Sequence, residues 1–459
     1  MVFSSSVFLF GFLPILLVSY YFISDKWKNV VLLIASLLFY AWGEPKNIVI
    51  MLVSIVVNYV LSILIETKEK YSKLWMIVSV VYDLGILFVF KYLNFTVDII
   101  NSITKKGIVV DEIALPIGIS FYTFQIMSYV IDVYKKDVKA QKSILDLALY
   151  ISLFPQLIAG PIVRYVDIEK QIKTRSVNFD SIYIGMTRFI IGFSKKILLA
   201  DQLSLLVDIV FAENNASIFS NWIGIIAYAL QIYYDFSGYS DMAIGLGKIF
   251  GFDFLENFNY PYISQSIQEF WRRWHISLSS WFRDYVYIPL GGSRKGKIRT
   301  YLNLIIVFFL TGLWHGASWN FIVWGLFYVL FLIIERLGFK NILIKLPRVI
   351  RHIYALFVIL IGWVFFRADT LMDALIYIKG MFTISGQDVA YFNYDMNGQY
   401  WFCIIVGIIL VIPYKNISKM IEEKKQFSMV SDFIIIAVFI VAICYLIGSG
   451  YSPFLYFRF

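Results

Sequence analysis

Charged side chains are scarce in this sequence, at 15% of 459 residues. Soluble globular chains carry roughly 25%. With 60% of residues in the hydrophobic set, a water-soluble protein of this length would lack the polar surface it needs, so that class is excluded. Cysteine is nearly absent: Cys403 and Cys444 lie far apart inside apolar runs, with no CxxC or other ligand spacing. The pair says nothing about redox compartment or metal, and both are expected to be buried as small hydrophobes. Histidine is limited to His275, His315 and His352. No two stand at i,i+4 and no acidic residue stands at a ligand spacing, so no metal site is expected. A long basic block is missing too. The net charge of +9 comes from short Lys and Arg clusters between apolar stretches, the pattern of positive-inside loops. That excludes nucleic acid as a partner and leaves membrane lipid as the surroundings.

What the chain does have is apolar length. A helix crosses the bilayer with about 20 apolar residues. The first 24 residues carry no charged side chain. They lack a basic n-region and an obvious small-residue cleavage site, so they read as a retained helix and not as a signal peptide. Further uncharged runs lie at 29–43, 47–65, 113–131, 147–163, 214–234, 397–414 and 433–457. Segment 74–90 holds only Asp83, and 353–366 is apolar but short. The longest run, 300–334, is too long for one crossing and breaks at Gly316-Ala-Ser-Trp-Asn320. Irregular apolar stretches at 181–212, 236–252 and 262–290 tilt, dip or lie in the interface. The fold class is an all-α polytopic membrane protein with about 11–13 transmembrane or re-entrant helices. Residues 1–459 read as a single membrane-embedded domain, in which 335–351 and 415–430 are basic connectors.

Aromatic residues are abundant, 19% of the chain, as suits lipid and headgroup contact. Loops 25–28, 66–73 and 135–142 hold nine lysines, and loops 44–46 and 91–112 hold four. The excess places the first set in the cytoplasm and the N-terminus outside.

Ionisable groups inside apolar segments are costly, and they mark candidate sites. His315 lies in Thr311-Gly-Leu-Trp-His-Gly-Ala-Ser318, between two stretches that would otherwise be one hydrophobic block. Burial favours its neutral, proton-accepting form. The alternative is a structural histidine bonded across helices. His275 lies in Trp271-Arg-Arg-Trp-His-Ile-Ser-Leu-Ser-Ser-Trp-Phe-Arg-Asp-Tyr285, where Trp271, Trp274, Leu278, Trp281 and Tyr285 predict one face of a single helix. That helix suits the membrane interface; alternatively, Arg273 and Arg283 hold an anionic donor such as a coenzyme A phosphate. His352, after Arg351, reads as a headgroup-level histidine. Pro and Gly inside Leu115–Gln125 and Phe154–Arg164, and the glycine and carboxylates of Asp235-Phe-Ser-Gly-Tyr-Ser-Asp241, mark broken helices surrounded by protein or a water-filled cavity; the alternative is ordinary kinks and close helix packing through small residues.

The run Tyr233-Tyr-Asp-Phe-Ser-Gly-Tyr-Ser-Asp-Met-Ala-Ile-Gly-Leu-Gly247 resembles the membrane-bound O-acyltransferase family. So do Glu256-Asn-Phe-Asn-Tyr-Pro-Tyr-Ile-Ser-Gln-Ser266, the Trp271–Tyr285 segment with Ile288-Pro-Leu-Gly-Gly292, and Gly312-Leu-Trp-His-Gly316. The branch most similar is that of alginate O-acetylation membrane proteins, and the resemblance runs through almost the whole chain. It implies that His315 is catalytic and that His275 lines the same site, with a ring of helices around a funnel and tunnel. It further implies acetyl transfer from a cytosolic thioester, acetyl-CoA, with no permanently bound cofactor. On the same resemblance the expected acceptor is a hydroxyl, supplied by the serine of an extracytoplasmic esterase-like acetyltransferase partner, with an exported or cell-wall polysaccharide as the final acceptor, and the expected setting is a bacterial cytoplasmic membrane. In this scheme His315 is the general base, and His275 or backbone N–H groups near Gly316 meet the oxyanion. Two alternatives stand beside it: D-alanyl transfer toward teichoic acids, and a transporter or flippase of a lipid-linked substrate.

Overall fold

The computed structural model describes residues 1–111, 113–212, 217–383, 396–413, 428–449 and 454–455. Among them every regular element is a helix. Six helices are long and apolar enough to cross a bilayer: Ile48–Thr67, Glu69–Thr104, Lys297–His315, Trp319–Lys345, Arg348–Arg367 and Val430–Gly448. Phe8–Phe22 and Gly398–Val411 are apolar but shorter. Large apolar side chains such as Ile434, Ile436, Ile440 and Ile447 are exposed along their helices, which in a bilayer means facing lipid.

The described residues group into two compact units, residues 1–189 with 242–255, and 190–241 with 256–459. The first contains α1 (Leu13–Phe22), α2 (Asp25–Gly43), α3 (Ile48–Thr67), α4 (Ser72–Leu87), α5 (Leu93–Thr104), α6 (Ile119–Lys135), α7 (Ile144–Ser152), α8 (Phe154–Leu157), α9 (Tyr165–Lys173) and most of α10 (Phe179–Ser194). In it α3 packs on α4 and α6, and α2 on α7. The lone Asp83 of the 74–90 run is buried and accepts a 2.8 Å hydrogen bond from Asn58 of α3, which limits the cost of a carboxylate at that depth. The two proline-bearing segments fulfil their expectation, whereas Asp235–Asp241 does not: it lies inside one uninterrupted helix, Ile218–Ile249. Residues 152–163 are buried, and 158–163 are non-helical backbone enclosed by protein, a setting that membrane depth tolerates. Gly118, at φ 77°, begins α6, where a Cβ would stand 2.8 Å from the Leu157 carbonyl oxygen.

The second unit contains α11 (Asp201–Ala212), the start of α12 (Ile218–Ile249), α13 (Ile267–Arg273), α14 (Ile276–Phe282), α15 (Lys297–His315), α16 (Trp319–Ile334), α17 (Lys340–Lys345), α18 (Arg348–Arg367), α19 (Leu371–Gly380), α20 (Gly398–Val411) and α21 (Ser428–Ser449). The long run 300–334 does break at Gly316–Ser318, and the two halves pack on each other as α15 and α16. Their contact depends on two glycines. A Cβ at Gly312 would stand 2.3 Å from the Phe321 carbonyl oxygen, and one at Gly325 would stand 2.3 Å from that of Phe308. Such small residues let membrane helices approach backbone to backbone.

Three expectations are corrected. The stretch 353–366 belongs to a 20-residue helix, α18, because Arg348, Arg351 and His352 extend it beyond the uncharged run. Cys403 is buried but Cys444 is exposed, on an apolar helix whose side chains have lipid as an alternative to a core. Trp271–Tyr285 is not one helix; its break is described below. Most of the 415–430 connector lies outside the described residues.

Candidate active site

The chain between Arg273 and Ile276 cannot continue as helix. Trp274 is extended, and His275 adopts the left-handed conformation at φ 44°, ψ 56° as the cap residue before α14. A non-glycine residue there costs on the order of 1–3 kcal/mol and persists only where its surroundings impose it. The loop before α13 provides them. Asn259 N–H donates to the Arg273 carbonyl at 2.9 Å, and Ile276 N–H donates to the Asn257 carbonyl at 2.9 Å. The groups orphaned by the helix break are thereby satisfied.

The Asn257 side chain then holds the histidine. Its Oδ1 accepts from Ser277 N–H at 3.2 Å and from Ser277 Oγ at 2.9 Å, and it lies 3.1 Å from His275 Nδ1. Its Nδ2 donates to Ser240 Oγ of α12 at 3.2 Å. The imidazole is 1% exposed and meets Phe236 edge to face, ring centroids 4.6 Å apart. His275 lies outside the membrane-length helices, and burial pushes its pKa down to about 3, which keeps it neutral.

His315 is the last residue of α15. Gly316, fully extended, ends the helix, and Ser318 begins the next. The His315 ring, 3% exposed, is enclosed by Trp324 at 4.9 Å, Phe366 at 5.1 Å and Phe321 at 6.5 Å between centroids. Trp314 joins the two histidines. Its ring centroid is 5.9 Å from that of His275 and 5.0 Å from that of His315. Residues 40 apart in sequence therefore flank one indole.

The two candidate arginines have intramolecular partners. Arg273 places Nη2 2.9 Å from Glu269 and donates from Nη1 to the Asn259 carbonyl at 3.1 Å. Arg283 is bidentate on its neighbour Asp284, at 2.7 and 2.9 Å. His352 places Nδ1 3.1 Å from the Ser264 carbonyl, which ties α18 to the loop before α13.

Sequence reasoning left three residues without a role. Glu335 is buried and accepts from the N–H groups of Ile267, at 2.6 Å, and Gln268, at 3.0 Å, which caps α13. Lys196 lies on a π-helical turn, Lys195–Ala200, between Asp201 at 2.6 Å and Asp235 at 2.7 Å. Asn257 sits inside a quoted motif, but no spacing rule connects it to a histidine 18 residues on.

These features define a class: a multi-pass, all-helical membrane protein that encloses two histidines among aromatic rings. Comparison with known sequences gives the family. The MBOAT family, membrane-bound O-acyltransferase, matches residues 135–369. The chain is 46% identical to the probable alginate O-acetylase AlgI of Pseudomonas aeruginosa over 86% of this chain and 77% of that protein. To the protein of the same name from Pseudomonas putida it is 40% identical over 100% of both. It is also similar to the peptidoglycan O-acetyltransferase of Helicobacter pylori, at 32% identity over 100% of this chain and 98% of that one. The chain belongs to the membrane-bound O-acyltransferase family and is a membrane O-acyltransferase.

Proposed function

We propose that this protein moves an acetyl group from a cytosolic thioester, acetyl-CoA, to a hydroxyl, for the O-acetylation of an exported polysaccharide at a bacterial cytoplasmic membrane. The observation that carries the reading is the burial of His315 at the end of a membrane-length helix, with Trp314 against both it and His275. The full-length similarity to a probable alginate O-acetylase supports acetyl as the group and alginate or a related polymer as the final acceptor. A serine of an extracytoplasmic partner is the expected first acceptor.

Neutral His315 takes the proton of the hydroxyl as its oxygen bonds to the thioester carbonyl carbon. The tetrahedral intermediate collapses, the carbon–sulfur bond breaks, and the departing thiolate recovers the proton as a thiol. A positioned base contributes typically 10²–10⁴-fold, about 3–5 kcal/mol of the barrier. Exclusion of water by the surrounding rings keeps the thioester from hydrolysis. Arg273 and Arg283 attract the donor's phosphates, in competition with Glu269 and Asp284.

Base-releasable acetate on the exported polysaccharide tests this, compared between cells with intact protein and with His315→Ala at equal membrane abundance. Loss of acetate in the variant supports the reading. Acetate retained removes His315 from the chemistry, and acetate absent from both overturns acetyl as the group, with D-alanine the next ester to assay.

A further inference from the structure

Imidazole has two neutral tautomers, and they do opposite things. The nitrogen with the proton donates; the other accepts. Which one a buried histidine adopts follows from what faces each nitrogen, and at His275 one of those partners is fixed by main-chain chemistry.

The atom of Asn257 facing His275 Nδ1 is identified by its other contacts. It receives the backbone N–H of Ser277 at 3.2 Å, and a backbone N–H can only donate. That atom is therefore the amide oxygen and not the amide nitrogen. The opposite side agrees: Nδ2, with its two protons, donates to Ser240 Oγ at 3.2 Å. Ser277 Oγ, at 2.9 Å, uses its single proton on the same oxygen. An amide oxygen 3.1 Å from Nδ1 calls for a proton on Nδ1, because an unprotonated nitrogen would set two lone pairs against each other in a buried place. Ser277 Oγ, 3.5 Å from Nδ1, has only its acceptor side left and favours the same form.

From this we infer that Asn257 is a positioning residue, which holds the proton of neutral His275 on Nδ1 and so presents Nε2 to the reactants as a hydrogen-bond acceptor. The inference rests on the acyl-transfer reading above and refines it. Of the two roles open to His275, donor to the oxyanion and acceptor of a reactant's O–H or N–H, it selects the second. Burial opposes protonation of the ring and so keeps it from regaining a donor at Nε2. The Asn257 main chain serves the same end, because its carbonyl binds Ile276 N–H beside the left-handed His275 and fixes the direction from which the ring projects. Side chain and backbone of one residue thus set both tautomer and orientation, a relation often seen between a catalytic histidine and the group behind it.

The test uses the full-length protein in detergent micelles or nanodiscs with ¹⁵N-labelled histidine. Only three histidines contribute signals, and His315→Gln and His352→Gln variants assign them. The expected result at neutral pH is a pyrrole-type Nδ1 and a pyridine-type Nε2 for His275. The reverse pattern, or a doubly protonated ring, overturns the inference and leaves the acetyl-transfer reading intact, because the spectrum does not depend on which acyl group is transferred. Kinetics give the second arm. In Asn257→Ala, kcat falls by on the order of 10²-fold with KM little changed, the magnitude of a misplaced proton-accepting group. Asn257→Asp keeps an acceptor for Nδ1–H and for both Ser277 donors, and Ser240 can turn to donate. It is expected to recover most of the rate and to shift the acid limb of the pH–rate profile upward, since a carboxylate behind the ring favours imidazolium. Equal loss in both variants, with the histidine spectrum unchanged by Asn257→Ala, assigns Asn257 a packing role only and overturns the inference.

Discussion

Lys196 and Asp235 form a buried ion pair, Nζ to Oδ1 at 2.7 Å, with side chains 4% and 3% exposed. Lys196 shares its charge with Asp201, and the other oxygen of Asp235 accepts the backbone N–H of Leu455 at 2.8 Å. Phe454, next to it, packs on Phe236 and Tyr239, and Phe236 lies against His275. One carboxylate therefore connects α12, the π-helical turn and the end of the described chain behind the histidine.

Lys196→Met is expected to destabilise the protein by about 3–5 kcal/mol, because it leaves the buried Asp235 and the partly buried Asp201 without their cation. Thermal unfolding of the purified protein in detergent, read by tryptophan fluorescence, measures this. An unchanged midpoint would mean that the ion pair contributes nothing net to stability in the detergent-solubilised protein.

Gly312→Ala and Gly325→Ala are expected to separate α15 from α16, since each new methyl meets a carbonyl oxygen at 2.3 Å. Overpacking of this kind costs about 1–3 kcal/mol, occasionally more. Gly85→Ala in α4, where nothing lies within 4 Å, serves as the control and should leave the midpoint unchanged or raise it.

Glu335→Ala removes the acceptor of two N–H groups at the start of α13 and of the Tyr354 hydroxyl. Each buried donor left unsatisfied costs about 1–3 kcal/mol. Because α13 leads directly into Trp274 and His275, acyl transfer should fall with stability. Glu335→Gln, which retains an oxygen, should recover part of both.

Acid stability should depend on His275. Its folded pKa, about 3, lies below its ordinary 6.5 because burial disfavours the charged ring. Between those values the unfolded chain holds a proton that the folded chain does not, so stability falls as pH drops from about 6.5 toward 3. Above 6.5 the group contributes no slope. His275→Gln should flatten this limb, and unfolding midpoints of the two proteins at pH 7 and pH 5 compare it directly.

Arg283→Ala is expected to raise KM for the thioester donor more than it lowers kcat, as loss of an attractive charge outside the reacting bonds would. If both constants are unchanged, the Arg283–Asp284 pair is a surface contact only, and exposed pairs of that kind are worth about 0–1 kcal/mol.

By itself the sequence determined that this chain lives in lipid, that it is helical, and where the longest run must break. Apolar length and scarce charge are local properties, and a bilayer reads them locally. His315 stood out for a related reason, as a rare polar residue in an apolar setting, whereas His275, among arginines, became a site candidate only through the family resemblance. The tertiary structure decided what no local pattern holds. Period alone made 271–285 one helix, yet Asn257 and Asn259, outside that window, accept and donate the bonds that let it break at His275. Trp314 stood in the sequence only as the neighbour of His315, and the fold also brought it against His275. Lys196, inside the irregular apolar stretch 181–212, is half of a buried ion pair only because α12 supplies Asp235. The long-range partners lie 14 to 40 residues apart, as from Arg273 to Asn259, His275 to Asn257, Lys196 to Asp235, and His275 to His315. Propensity and periodicity act over a few turns of helix, whereas the fate of a buried proton or charge is set by whatever the folded chain brings within 3 Å of it.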